Sequence, residues 1–142
     1  MIVNLWHDWV NQPKESLDWH KEDIADEYAE LQEASGIISN WSELSDVVYT
    51  VTRARWSGHK LDYPISKPQI TAGYLYMFPK YSLRTLFFRR AGKKASCGHT
   101  LQSVRNPRKT HKLHTIAEQN NIDKLEFEKI CRKQLKYWPL LP

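Results

Sequence analysis

Asp26-Glu27-Tyr28-Ala29-Glu30, followed after twelve intervening residues by Glu43-Leu44-Ser45-Asp46, is the stretch that decides the fold. On a helix, residues three and four apart share a face, so Asp23, Glu27 and Glu30 project together, with Asp26 and Glu33 close beside them. Ile24, Tyr28 and Leu31 supply the apolar stripe of the same helix. Ser16 or Asp18 is placed to cap its start, and Ser35-Gly36 to end it. Asn40 is a suitable N-cap for the next helix, whose core face is Leu44, Val47, Val48 and Val51 and whose terminator is Gly58. Glu43 and Asp46 flank that apolar stripe. The short connection from Ser35 to Asn40 requires the two helices to be antiparallel neighbours, which brings their acidic pairs together. Each like-charge pair at i,i+4 costs about 0.2–0.5 kcal/mol, so something positive should compensate. Four hard oxygens from two helices suit Mg²⁺ or Mn²⁺. The plainer alternatives are a solvated acidic face and a capping-box role for Glu43 three residues after Asn40.

Working outward, Leu5, Trp6, Trp9 and Val10 recur at helical spacing before Pro13 and predict a short first helix with an aromatic face. Beyond Gly58, residues 58–68 read as a loop. Residues 69–78 and 80–91 read as two helices separated by Pro79, and residues 92–109 as a long irregular segment, either functional or mobile. A helix near 110–119 and another from Asp123, with Glu126 as its capping-box partner, precede an extended tail, Trp138-Pro139-Leu140-Leu141-Pro142. The expected fold class is an all-α antiparallel helical bundle, a single domain over 1–142 with an acidic helical core in 1–60 and a basic extension in 61–142.

The charge of the chain is divided along its length. Residues 1–60 hold 11 acidic and 5 basic side chains, a net −6, and residues 61–142 hold 5 acidic and 16 basic, a net +11. One half is suited to a cation and the other to an anion, including nucleic acid. No apolar run approaches the roughly 20 residues that cross a bilayer, so no membrane association and a cytoplasmic location are expected. Cys97 and Cys131 are the two cysteines and read as reduced thiols. Cys97-Gly98-His99 with His111 and His114 has zinc-compatible ligands, but in spacings unlike those of the usual fingers or ribbons. Neither a Gly-rich phosphate loop nor a nucleophile elbow or dinucleotide fingerprint is present, which leaves covalent and Rossmann-type chemistry without support.

The order of acidic residues, an acidic pair, two residues, Glu, a spacer, then Glu-x-x-Asp, resembles the signature of the MazG-like all-α nucleotide pyrophosphohydrolases. Val47-Val48-Tyr49 and the approach to Trp56-Ser57-Gly58-His59 are also similar to that family's third helix and its end. The resemblance covers roughly residues 3–60, and Asp26 stands where Glu is more usual. It implies a helical homo-oligomer, dimer or tetramer, that binds Mg²⁺ and cleaves nucleoside triphosphates to monophosphate and pyrophosphate. Carried over by position, the metal ligands and catalytic carboxylates are Glu27, Glu30, Glu43 and Asp46. After residue 60 the family's phosphate-contacting stretch has no counterpart; Arg105-Asn106-Pro107-Arg108-Lys109 has related residue types with a proline among them.

For such an enzyme, Glu30 or Asp23 would orient or deprotonate water. Lys21, Arg53 and Arg55 are local candidates to meet phosphate, and Arg84, Arg89, Arg90, Lys93 and Lys94 more distant ones. Trp6 and Trp9 would stack a nucleobase unless they serve the core. Two other functions stay open: a helical protein whose basic half binds nucleic acid or another polyanion without catalysis, and a MazG-like scaffold redirected to a non-nucleotide substrate.

Overall fold

The computed structural model describes residues Met1–Pro142, and its regular elements are helices alone: α1 Ile2–Val10, α2 Leu17–Glu33, α3 Ile37–Trp56, α4 Lys67–Lys94, α5 Thr110–Gln119 and α6 Lys124–Leu135. The fold is all-α, as the periodicity predicts. No helix is long and apolar enough to cross a membrane. Asn11 ends α1 in the left-handed conformation at φ 57°, two residues before Pro13. Ser16 caps α2, its Oγ accepting from Trp19 N at 3.2 Å. Gly58, at φ 99°, closes α3, with His59 N donating to Ala54 O and Gly58 N to Arg55 O.

Two boundaries differ from the sequence reading. The third helix starts at Ile37, because Gly36, at φ 90°, turns the chain at once; Asn40 lies inside α3 and donates its Nδ2 to Gly36 O at 3.0 Å. The two helices expected on either side of Pro79 are one continuous helix, α4. A proline leaves the carbonyl four residues earlier without its amide partner. Here that residue is Leu75, which is 70% exposed, so water can take the bond.

Contacts group the chain into two compact units, Met1–Pro79 and Lys80–Pro142. The boundary falls within α4 rather than at the charge division near residue 60. The first unit holds 12 acidic and 6 basic side chains, net −6, and the second 4 acidic and 15 basic, net +11.

In the first unit, Leu44, Val47, Val48 and Val51 are buried on α3 as the sequence stripe requires, and Leu31 of α2 packs on Leu44 and Val47. Higher positions on α2 meet lower positions on α3. Leu31 touches Leu44, whereas Trp19 lies under Arg53 and His20 beside His59. The pair is therefore antiparallel. Gly73 of α4 lets that helix approach α3 so closely that a Cβ at this position would sit 2.4 Å from Val48 Cγ2 and 2.8 Å from Leu44 O.

In the second unit, Phe87, Phe88 and Ala91 of α4 share a core with Leu101, Leu113, Ile116, Ala117, Phe127, Cys131 and Leu141. Residues 95–109 are irregular but pinned: Leu101 is buried against Gly92. The tail packs on this core, with Leu141 buried and Arg84 Nε donating to Pro142 O at 2.8 Å, but it is turned and not extended, since Leu141 N donates to Trp138 O.

Candidate metal centre

The antiparallel pairing of α2 and α3 brings three of the four expected ligands together. One carboxylate oxygen from each of Glu27, Glu30 and Glu43 lies within 4.8 Å of the others; Glu27 and Glu43 are half-buried and Glu30 is exposed. Asp46 is outside this trio, one turn along α3 from Glu43, yet its charge acts on Glu27 more strongly than those of Glu30, Asp23 or Glu43.

Burial, and then this ring of like charges, pushes the Glu27 carboxyl up to about 8. Burial likewise raises Asp23, one turn earlier on α2, to about 6; the Arg53 guanidinium opposes that rise, and Asp26, Asp46 and Glu15 add to it. Carboxylates crowded in this way favour protonation or a cation. The donor set is all oxygen, the preference of Mg²⁺ and Mn²⁺. In a Mg²⁺ octahedron neighbouring oxygens are about 3 Å apart and opposite ones about 4.2 Å, so the trio must draw closer together to hold an ion. The residues fit the ion in donor type.

Beneath the carboxylates is a layer of buried polar side chains that the sequence reading did not single out. His20, one turn before Asp23, is fully buried, and neither ring nitrogen has a hydrogen-bond partner within the protein. Its ring lies 5.2 Å from that of Trp19 and 5.6 Å from that of His59. His7 of α1 is also buried and hydrogen-bonds through Nε2 to Thr52 Oγ1 at 2.9 Å. Burial first, and Arg53 second, hold both His7 and His20 down at about 4, so both rings are neutral at pH 7. The available sequence signal was spacing: His20, Asp23 and Glu27 repeat at i, i+3 and i+7 on one helical face.

This layer sets an acid limit. In the unfolded chain a histidine protonates near 6.5. The stability that neutral burial of His7 and His20 contributes is therefore complete above about 6.5 and lost as pH falls through about 4. His20→Leu should move the midpoint of acid unfolding, followed by circular dichroism, to lower pH. An unchanged midpoint would show that His20 does not set it.

The other candidates fall into separate places. Arg53 is buried, its guanidinium donating to Pro13 O at 2.7 Å, 3.8 Å from Glu15 and stacked over Trp19; it braces the α1–α2 connection and reaches Asp23 through its charge. Lys21 is exposed on α2. Trp6 packs edge-on against Tyr49 and Phe78, and Trp9 is 38% exposed. Arg55 lies over Tyr63 and donates to Leu61 O. Of the zinc-compatible residues, Cys97 and His99 are in contact at 3.6 Å, while His114 is engaged with Glu128 at 2.7 Å. Comparison of the chain with family models, with curated proteins and with solved structures found no match.

Proposed function

We propose that the first unit binds Mg²⁺ or Mn²⁺ through Glu27, Glu30, Glu43 and Asp46, and that the protein hydrolyses nucleoside triphosphates to monophosphate and pyrophosphate, as the MazG-like resemblance of these residues suggests. The observation that carries the reading is the convergence of carboxylates from two helices within 4.8 Å, against their own repulsion. When bound, a divalent cation supplies charge neutralisation at phosphate oxygens and lowers the pKa of a bound water. The chain supplies the rest. Asp23, raised to about 6, is largely ionised at pH 7 and so suited to take a proton from water at its carboxylate oxygen. Arg53 tunes Asp23 from below. Lys21, exposed on the same helix, offers charge to phosphate.

The same reading is of a cytoplasmic homo-oligomer, dimer or tetramer. Ile37 and Ile38, each 79% exposed, and Trp41, 48% exposed, give the start of α3 the apolar surface that self-association would cover. Pyrophosphate release from a panel of NTPs and dNTPs tests the activity. Turnover with Mg²⁺ is expected, and Glu43→Gln or EDTA should lower it by more than about 100-fold, some 2.7 kcal/mol of barrier. Turnover that survives both would contradict the role given to the carboxylates.

A further inference from the structure

The second unit carries a feature independent of the acidic centre. Four residues, Asn120 to Asp123, both end α5 and start α6. Asn121 adopts the left-handed conformation at φ 55°, Ile122 N donates to Ala117 O at 2.9 Å, and Asn121 N donates to Glu118 O. That is a complete Schellman closure of α5. Asp123 then caps α6, its Oδ1 accepting from Glu126 N at 2.8 Å. Ala117 of α5 and Phe127 and Cys131 of α6 are all fully buried in one core, so the two helices are packed on each other through their apolar faces. Arg132 bridges them on the outside, donating to Thr110 Oγ1 at 2.7 Å and to Glu128 at 2.6 Å.

Two helices held by so short and fully bonded a turn lie side by side and antiparallel, with Thr110 beside Arg132, His114 beside Glu128 and Glu118 beside Lys124. The second presents its outer face as an exposed helix surface of the kind the major groove of DNA admits. The outer face of α6 has the matching chemistry. Leu125, Lys129, Arg132, Lys133 and Lys136 line a shallow groove along it, and all five are exposed. The one acid in that groove, Glu128, is covered by His114 and Arg132. We propose that the second unit binds duplex DNA with α6 as the helix that enters the major groove.

Alternative polyanions fit this face less well. An interfacial membrane helix must lay its apolar side on the lipid, and the apolar side of α6 is spent on Phe127 and Cys131 in the core. Single-strand binders use aromatic stacking platforms, and the groove is lined by aliphatic and charged residues. The major groove of A-form RNA is too deep and narrow to admit side chains for reading. The net +11 of the unit adds the sequence-independent attraction to phosphates.

Fluorescence anisotropy of the full chain with labelled random-sequence duplex DNA of about 30 base pairs, over about 50–200 mM salt, tests this. Duplex DNA should bind more tightly than single-stranded DNA, duplex RNA of equal length or anionic vesicles. Lys129→Glu with Lys133→Glu should weaken binding at least about tenfold and flatten the log–log salt slope by about 2. The charge-matched pair Lys60→Glu with Lys67→Glu, exposed in the first unit, should change it far less. Lys129→Gln with Lys133→Gln, which introduces no new charge, should give an intermediate loss. Absence of duplex binding at low salt, equal or tighter binding of RNA, single strands or vesicles, or equal weakening by the control pair would each overturn the assignment.

Discussion

Glu27→Gln should raise the melting temperature of the cation-free protein at pH 8.5 by about 5 °C or more, as expected for 1–2 kcal/mol in a small unit. The same substitution should remove most of the further rise that Mn²⁺ gives the native protein. The reason is the position of Glu27 within the carboxylate group. An unfolded glutamate ionises near 4.5, whereas in the fold the group is pushed up to about 8. Its raised value means that the stability it contributes is fully present below about 4.5 and is lost as pH rises through about 8. At pH 8.5 the folded state carries the whole repulsion. A shift of this size has a ceiling near 4–5 kcal/mol, and sharing among coupled, partly solvated neighbours reduces the expected gain to about 1–2 kcal/mol. Gln keeps the shape and removes the charge. The gain should shrink at pH 5, where Glu27 is protonated in the fold. A variant less stable than the native protein at pH 8.5 would mean that repulsion at this site is not what the α2–α3 pair tolerates.

Gly73→Ala should destabilise the first unit by about 2–4 kcal/mol, within and somewhat above the usual cost of overpacking. The added Cβ would meet Val48 Cγ2 at 2.4 Å and the Leu44 carbonyl oxygen at 2.8 Å. Val48 has one strongly preferred rotamer in a helix, and the Leu44 oxygen is backbone, so α4 must move away from α3. The helix-propensity gain of Ala over Gly, about 1 kcal/mol, is too small to offset that. Gly98→Ala is the contrast, because a Cβ there meets nothing within 4 Å. Thermal melts of the two variants should differ by about 8 °C or more; equal melting temperatures would refute the close approach of the helices.

The α2–α3 pair was legible because several local signals agree: Ser16 at the start, Gly58 at the end, apolar stripes in phase, and a connection too short for anything but antiparallel packing. The convergence of Glu27, Glu30 and Glu43 follows from the same geometry. That Asp46 falls outside the 4.8 Å group while its charge acts most strongly on Glu27 does not, since spacing fixes a face but not a distance. Asn40 misled because an asparagine three residues before Glu43 has the form of a cap, and Gly36 had already made the turn. Pro79 misled for a different reason. Its cost is a single lost bond, here at the exposed Leu75, and a long helix packed at several other points absorbs it. The His7, His20 and Arg53 layer had no motif to announce it, because its members come from three helices and meet only once these are packed.

The decisive measurement is calorimetric titration of Mn²⁺ and Mg²⁺ into the native protein at pH 7 in buffers of different ionisation enthalpy, repeated with Glu27→Gln. Glu27 is mostly protonated at that pH, so ion uptake should release close to one proton, and affinity should rise up to about tenfold per pH unit until about pH 8. The Gln variant should lose both the proton release and most of the affinity. No uptake of either ion, or uptake that releases no proton and is indifferent to the Glu27 substitution, would contradict a cation site between α2 and α3.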